Sequence, residues 1–304
     1  MRPKEWQTVN QQEVNKRVQK YWIWKFAYII GIILIAFVFC SLVIGGSVWF
    51  ASALSYVLNE IFAFCGFVFV LLVICILNSF QERKIVNVLN EECDPYLYEA
   101  CWHRTGFKCV KRDYHLYNLA TTVYHQGNME EAWNILMQIR PEKLKGHFLA
   151  HYYMLRSELY FRQGLGGQVR QLEDEFARRI RNRTDRKNMQ RLCARNNGFR
   201  AYENKDYESA YGFIQEYVGM SERSTMAERV MLSYRLALLD KETGNMDAAR
   251  AHLKYIIANG NRLFFVREAR QMLEQMEMDA GMDQASAYHN EKREDQEEVK
   301  NEGE

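Results

Sequence analysis

Residues 26–80 read FAYIIGIILIAFVFCSLVIGGSVWFASALSYVLNEIFAFCGFVFVLLVICILNSF and contain a single charged side chain, Glu60. A bilayer's hydrocarbon core needs about 20 apolar residues for each helical crossing. The stretch is long enough for two crossings joined by a short connector. We therefore predict a transmembrane hairpin with spans at about 26–44 and 61–80, the first ending near Gly45–Gly46 and the connector lying at 47–60.

The charges around this hairpin predict its orientation. Residues 1–25 form a basic arm with six Lys or Arg, the segment 47–60 has none, and basic residues resume at Arg83 and Lys84. Loops rich in Lys and Arg stay on the cytoplasmic side of a membrane. A long polar arm before the apolar run also differs from a signal peptide. The pattern favours an uncleaved two-span anchor in the cell membrane with both termini cytoplasmic, and Tyr21, Trp22 and Trp24 lie where an aromatic belt would meet the headgroups.

Glu60 is the one charged residue inside the apolar block and has two interpretations. It could be a carboxylate within a pathway or relay. It could instead lie at the outer interface, ionised among the headgroups, and we favour this because no second charged group accompanies it.

Beyond Lys84 the sequence changes to amphipathic helices separated by short turns. A small residue, a turn residue seven positions later and a second small residue five positions further recur along the chain. Small side chains let two antiparallel helices approach where their axes cross, and the turn favours glycine or another residue that tolerates the left-handed region. The four copies are Ala120, Gly127, Ala132; Ser157, Gly164, Val169; Gly198, Lys205, Ala210; and Ala237, Gly244, Ala249.

These hairpins resemble tetratricopeptide repeats, in which a turn glycine lies between a small residue and an alanine followed by a bulky residue. Successive copies begin 37, 41 and 39 residues apart, by subtraction of 120, 157, 198 and 237, whereas the family's period is about 34. The frequent Trp and the closing Pro are missing except for Pro141. The resemblance covers roughly 112–260 and implies a helical solenoid of about four hairpins. Together with the apolar stretch 26–80, it predicts an all-α membrane-anchored protein of bacterial type, a transmembrane hairpin followed by this solenoid.

The remaining segments complete the domain plan. We predict a helical stem or half repeat at 84–111, broken at Asp94–Pro95, and the repeat domain at 112–278, closed by a capping helix after Asn261. Residues 279–304 are predicted to be disordered because the acidic sequence from Met278 onward, with nine Asp or Glu and three Lys or Arg, is poor in large apolar residues. Seven cysteines without a paired framework indicate free thiols in a reducing compartment.

The sequence gives little support for a catalytic site or a cofactor-binding site. Cys93, Cys101 and Cys109 are eight residues apart, with His103 and His115 nearby, and this spacing lacks the close cysteine pairs of zinc sites. The segment 164–167, GLGG, has no following Lys and Ser or Thr, so we interpret it as a helix–helix turn rather than a phosphate loop. We expect neither enzyme activity nor a metal or other cofactor.

The inner face of the predicted solenoid is the first candidate binding site. Positions three before, one after and four after the first small residue share one face of the first helix in each hairpin. An aromatic groove with a few charges fits recognition of a peptide; equally, the next hairpin could cover these side chains as packing residues. They are Tyr117, Thr121, Tyr124, Met154, Glu158, Phe161, Arg195, Phe199, Tyr202, Tyr234, Leu238 and Lys241.

A run of basic residues is the second candidate. It could bind an acidic protein or anionic lipid, or it could be a solvated helix end; nucleic acid is the least favoured partner because no aromatic residues are interleaved. We call the following residues the basic patch: Arg178, Arg179, Arg181, Arg183, Arg186, Lys187 and Arg191.

The function predicted from the sequence is a scaffold in the bacterial inner membrane. Its cytoplasmic helical-repeat domain would bind a protein or peptide partner in the groove. The alternative is an accessory or regulatory subunit of a membrane transport or envelope-assembly complex, with the hairpin making contacts within the bilayer.

Overall fold

The computed structural model describes residues 8–49, 53–105, 112–220 and 224–279. No strand occurs within these ranges, and nearly all of their residues are helical. The chain divides into two compact units, Met1–His115 and Leu116–Glu304. The predicted all-α class is confirmed over the described ranges.

The first unit is built on two long helices, α1 (Gln11–Trp49) and α2 (Ala53–Asn90), which pack along one another. The helix α1 continues through Gly45–Gly46, where the first span was predicted to end, and α2 already includes residues 53–60 of the predicted connector. A helix can continue across two glycines, because each glycine lowers helix stability by only about 1 kcal/mol relative to alanine.

One helix among the described residues, over Gln11–Phe39, is long and apolar enough to cross a membrane; Phe64–Val73 is a shorter apolar stretch. The second predicted span is therefore not confirmed, and the side chains of residues 74–80 and of Glu60 lie outside the described set. Large apolar side chains on both helices are exposed, among them Phe37 at 70% and Phe69 at 66%. The rings of Phe39 and Phe67 are 5.1 Å apart between the helices.

The N-terminal end of α1 and the C-terminal end of α2 pack against α3 (Pro95–Arg104) and form a small core. Asp94 caps α3, because its Oδ1 accepts the backbone N–H groups of Tyr96 and Leu97 at 3.1 and 2.9 Å. The guanidinium of Arg17 binds both carboxylate oxygens of Glu92 at 2.7 and 2.9 Å. Described residues of the basic arm are thus helical and joined to the stem. The buried members of this core include Val14, Tyr21, Ile85, Val88, Leu89, Leu97, Tyr98 and Trp102.

The second unit contains four helical hairpins in sequence. Each pairs a first helix with a second through a tight turn, and a short 3-10 turn at Pro141–Lys143 precedes the second hairpin and another at Gly166–Gln168 lies within it. The pairs are α4 (Arg112–His125) with α5 (Met129–Leu136), α6 (His147–Arg162) with α7 (Val169–Ala177), α8 (Arg183–Glu203) with α9 (Tyr207–Gly219), and α10 (Met226–Glu242) with α11 (Met246–Asn259). A last helix, α12, spans residues 264–279.

The hairpin geometry agrees with the small-residue pattern. All four turn residues have positive φ: +88° at Gly127, +71° at Gly164, +61° at Lys205 and +78° at Gly244. The first small residues Ala120, Ser157 and Ala237 are 0% exposed, and Gly198 is also buried. Small side chains at these buried positions let the paired helices pack closely.

The capping helix α12 does more than cover the last hairpin. Val266 of α12 and Val230 of α10 both lie close to Gly260 at the end of α11. Phe264 and Phe265, 4% and 0% exposed, reach the first hairpin as well, where Phe264 lies against Gly127. The C-terminal helix therefore contacts both the first and the last hairpin of the domain. The predicted acidic tail lies outside the described residues beyond Asp279.

Candidate groove and buried ion cluster

The second unit contains a cavity of about 220 Å³ between the first helices of three successive hairpins. Helices α6, α8 and α10 form its walls and α9 contributes Ile214. The cavity opens to solvent and is lined by Glu158, Phe161, Arg162, Gly198, Phe199, Tyr202, Glu203, Ile214, Tyr234, Arg235, Leu238 and Leu239.

Aromatic rings form the apolar part of this cavity. Phe161 meets Phe199 edge to face with ring centroids 4.7 Å apart. The ring centroids of Tyr234 and Phe265 are 5.2 Å apart. Phe161, Tyr202 and Tyr234 are half-buried, so they present ring surface to the opening while their neighbours fix their positions. Such rigid, partly exposed rings offer apolar contact at a low cost in conformational entropy.

A cluster of charged side chains forms the floor. We call Glu158, Arg162, Arg195 and Arg235 the ion cluster. The Glu158 carboxylate is 1% exposed and accepts hydrogen bonds from Arg195 and Arg235, and from Nε of Arg162 at 3.2 Å. Arg195 also donates to the main-chain oxygen of Met154 at 2.8 Å. Three guanidiniums surround one carboxylate, so the ion cluster carries a formal net positive charge.

Electrostatics keep this carboxylate ionised. Burial raises the pKa of Glu158, but the guanidiniums of Arg235, Arg195 and Arg162 lower it by more, and the pKa ends well below its usual value. A carboxylate buried without these cations would instead take up a proton.

The arginines also stack on aromatic rings. The guanidinium carbon of Arg235 lies 3.4 Å from the centroid of Phe199, and that of Arg162 lies 4.8 Å from Phe264. Arg162 further pairs with Glu268 of α12 at 3.6 Å. The cation–ring contacts add to these ion pairs in stabilising the buried guanidiniums. The floor is thus pre-ordered from three helices and from α12.

Six of the twelve residues predicted for the inner face meet in this cavity: Glu158, Phe161, Phe199, Tyr202, Tyr234 and Leu238. Met154 and Arg195, 8% and 6% exposed, lie beneath it, where Met154 supplies the carbonyl that Arg195 binds. Lys241 is half-buried and is not among the lining residues. Six of the twelve residues therefore share one cavity, and the other six do not line it.

The α4 portion of the predicted face is packed rather than open. Tyr124, 2% exposed, contacts Phe264 and Phe265 of α12 with centroid distances of 5.5 and 6.3 Å. Tyr117, 8% exposed, meets Phe148 at 5.6 Å, and Thr121 donates its hydroxyl to the Tyr117 carbonyl at 3.0 Å. For Tyr124 and Tyr117 the packing interpretation describes the structure, because α12 and the next hairpin cover them, whereas Thr121 is half-buried.

The sequence pattern missed Arg162, Arg235 and Glu203, which all line the cavity. Arg235 precedes the small residue of its helix by two positions, and Arg162 and Glu203 follow theirs by five. These offsets are seven residues apart and share a helical face with the chosen positions. A search for charged residues at these offsets would have found them.

The basic patch lies at the turn between α7 and α8. Arg178, Arg181, Arg183, Arg186 and Lys187 are exposed. Arg179 pairs with Glu175 at 3.3 Å, and the Arg191 guanidinium lies 5.3 Å from the Tyr217 ring. Five of the seven predicted members are therefore presented to solvent.

The other sequence candidates hold structural positions. Gly164–Gly167 join α6 to α7 as a helix–helix turn. Cys101 is buried, and burial raises the pKa of its thiol to about 11; Trp102 Nε1 donates to Nδ1 of His115 at 3.0 Å. Among the described residues, no three His, Cys, Asp or Glu side chains converge as a metal site would require. Cys109 lies outside the described ranges.

Comparison with known families agrees with this geometry and identifies the class of protein. The second unit is a TPR-like helical repeat domain: residues 110–257 match the family described as the SusR N-terminal TPR domain, which covers just under half of the chain. Tetratricopeptide domains generally bind protein partners. Comparison with curated proteins and with solved structures gave no match.

Proposed function

We propose that this chain is a membrane-anchored scaffold whose repeat domain binds a segment of a protein partner in the cavity between α6, α8 and α10. The cavity carries the proposal, because it combines half-buried rings with a pre-ordered charged floor on the inner helices of a TPR-like domain. The proposal assigns the domain recognition and no reaction.

The size of the cavity favours a side chain as its occupant. Sites for small molecules and cofactors enclose about 300–1,000 Å³, and this cavity holds about 220 Å³. One bulky apolar side chain of a partner would fill it between Phe161, Tyr202 and Leu238. Buried apolar anchors of this kind carry most of the binding energy in protein interfaces.

The charged floor would set the direction of the bound segment. Arg162 and Arg235 line the cavity, and the Glu158 carboxylate is shared among three guanidiniums. A polar or acidic group next to the anchor could reach these donors, whereas a basic group would meet like charge. Complementary charges contribute mainly to specificity and orientation.

The exposed apolar side chains of the first unit support the anchor. Phe37 and Phe69 would be unfavourable in water but suit contact with lipid tails, and the candidate span over Gln11–Phe39 has none of its apolar window buried. We propose that α1 and α2 both cross the inner membrane of a bacterium, with both termini in the cytoplasm, in accord with the distribution of Lys and Arg.

Site-specific photo-crosslinking tests the cavity. A photoreactive amino acid replaces Tyr202 in the cavity wall or Tyr211, which is 48% exposed on α9, in the full-length chain in native membranes. We expect a discrete protein adduct from position 202 and little from position 211. The substitution Leu238→Trp should lower the adduct at position 202 about tenfold, because the indole fills the cavity.

Two further results complete this test. Tyr211→Ala is the matched control and should leave the adduct unchanged, and circular dichroism checks that Leu238→Trp keeps its helices. Equal adducts from positions 202 and 211, or an adduct that Leu238→Trp leaves unchanged, would remove the cavity as the binding site. Adducts confined to α1 and α2 would instead favour a subunit of a membrane complex.

A further inference from the structure

We infer that the basic patch between α7 and α8 is a surface that binds the anionic headgroups of phospholipids. This surface is distinct from the cavity and shares no residue with it. The inference goes beyond partner recognition, because it gives the repeat domain a second contact, with the membrane itself.

Five cations of the patch are exposed, whereas the neighbouring carboxylates of Asp185 and Glu175 accept hydrogen bonds from other groups of the fold. Asp185, 5% exposed, accepts the backbone N–H of Arg181 at 3.1 Å. Glu175 accepts hydrogen bonds from Tyr153, Arg156 and Arg179. Within residues 174–187 of the described chain, the exposed charged groups are Arg178, Arg181, Arg183, Arg186 and Lys187 against Asp174 alone. The surface therefore carries five cations and one anion.

Folding does not account for these positions. Arg183 and Arg186 lie in the first turns of α8, whose N-terminal end carries partial positive charge and disfavours cations. The ordinary stabilising groups are also present, since Asn182 caps the helix through the N–H of Asp185 at 2.9 Å. Cations added to a capped N-terminus lower stability unless an anion faces them.

The chemistry of the patch fits phosphate groups arrayed on a surface. Guanidinium groups bind phosphate through two parallel hydrogen bonds. The exposed members project from a turn rather than around a pocket, so they suit many headgroups at once rather than one enclosed phosphate. The segment 178–191 contains no aromatic residue, and proteins that bind single-stranded nucleic acid use aromatic rings for stacking.

A membrane surface is the partner that the chain itself brings near. The proposed anchor would hold the repeat domain beside anionic lipid at high effective concentration. Each Lys or Arg at an anionic surface strengthens binding about fivefold. Several such residues together can bind lipid reversibly, which no single one could.

The test separates this surface from the membrane spans. The full-length chain is reconstituted in nanodiscs of phosphatidylcholine, whose lipids surround the apolar helices. It is then mixed with vesicles of phosphatidylcholine alone or of phosphatidylcholine and phosphatidylglycerol at 7:3. We expect flotation with the anionic vesicles only. The triple variant Arg181→Glu, Arg183→Glu, Arg186→Glu should weaken binding to them by about 100-fold or more, as three charges at fivefold each require.

A matched variant controls for overall charge. Lys205→Glu, Lys254→Glu and Arg270→Glu change the net charge equally at scattered exposed positions and should retain flotation. Circular dichroism and thermal unfolding verify that both variants fold, and photo-crosslinking at position 202 should be unaffected in both. A failure of the cavity would therefore be distinguished from a failure of the patch.

Four outcomes would overturn the inference. The patch variant could float as well as the unaltered chain, or the two triple variants could lose flotation equally. Soluble poly-glutamate could bind the patch while anionic vesicles do not, which would assign it to an acidic protein. Ten millimolar inorganic phosphate at constant ionic strength could abolish flotation, which would indicate a single phosphate site instead of a surface.

Discussion

The two units of this chain use the same element, a pair of antiparallel helices, with opposite treatment of apolar side chains. On α1 and α2 large residues point outward, with Phe37 at 70% and Phe69 at 66% exposure. In the repeat hairpins the outward residues are mostly polar and the crossing points hold buried Ala120 and Ala237. If α1 and α2 lie in lipid as proposed, the solvent around a hairpin, rather than its backbone, selects which side chains lie inside.

Charged groups follow the same division. The repeat unit tolerates a fully buried carboxylate, Glu158, because three guanidiniums surround it. The apolar faces of α1 and α2 contain no described charged side chain between Lys25 and Glu82. A lipid environment would make such a charge costly, whereas a protein interior can supply its partners.

The largest effect is expected from the interior of the repeat unit. Glu158→Gln keeps the shape but removes the carboxylate that Arg162, Arg195 and Arg235 share, and leaves Arg162 with Glu268 alone. Removing one partner of a buried ion pair costs about 3–5 kcal/mol. Urea unfolding of the full-length chain in detergent, followed by the helical circular dichroism signal, measures this loss.

Exposed Glu216→Gln on α9 is the matched control and should change stability by less than about 0.5 kcal/mol. The pH dependence gives a second check. Because the pKa of Glu158 lies below its usual 4.5 when folded, its contribution is present above that value and is lost as pH falls below it. The Gln variant should therefore lose less stability than the unaltered chain in acid; equal acid sensitivity would contradict the assignment.

The next effect tests the environment of the first unit. Phe37→Arg places a charge at the most exposed large apolar side chain described in the first unit. An arginine at the centre of a membrane helix costs about 2.5–3.5 kcal/mol. We expect a smaller fraction of the chain to stay with membranes after alkaline extraction. Tyr211→Arg on α9 is the control, since that side chain is also exposed but belongs to the repeat unit. Equal retention of both variants would mean that Phe37 does not contact lipid.

Local rules were sufficient to predict the repeat hairpins from the sequence. Gly127, Gly164, Lys205 and Gly244 were predicted as turns because such turns need the left-handed region, and all four have positive φ. The small residues at the crossings were predicted from helix packing and are buried. Both features depend on residues within about twelve positions of one another, where helical periodicity is a strong signal.

Long-range packing could not be predicted in the same way. Tyr124 and Phe161 occupy equivalent positions in their repeats, yet α12 covers Tyr124 and leaves Phe161 in the cavity wall. Nothing local distinguishes the two, since Phe264 and Phe265 reach α4 from 140 residues away. The convergence of the ion cluster could not be predicted for the same reason, because Glu158 and Arg235 are 77 residues apart in the sequence. The predicted second span stays a prediction.

A smaller effect should distinguish the first turn from the last. Gly127 and Gly244 have similar φ values, but a Cβ at Gly127 would lie 2.8 Å from Cβ of Phe264, whereas a Cβ at Gly244 meets nothing within 4 Å. Both Ala variants incur the left-handed strain of about 1–2 kcal/mol. Gly127→Ala should lose about 1–3 kcal/mol more, because α12 must shift. Thermal unfolding of the two variants measures the difference, and equal losses would show that α12 does not pack on the first turn.

The smallest effect concerns the basic patch and has the opposite sign. Arg183→Glu replaces a cation at the positive end of α8 with a carboxylate, which should stabilise the repeat unit by about 0.3–1 kcal/mol at low salt. The new carboxylate also lies one helical turn before Lys187, where an opposite charge is favourable. Lys254→Glu, exposed in the middle of α11, lacks the helix end and should have no such effect. The gain should shrink as salt is added, because exposed charges are screened. A loss of stability in Arg183→Glu would mean that the arginine serves the fold, and the argument that the patch is retained for an anionic surface would then fail.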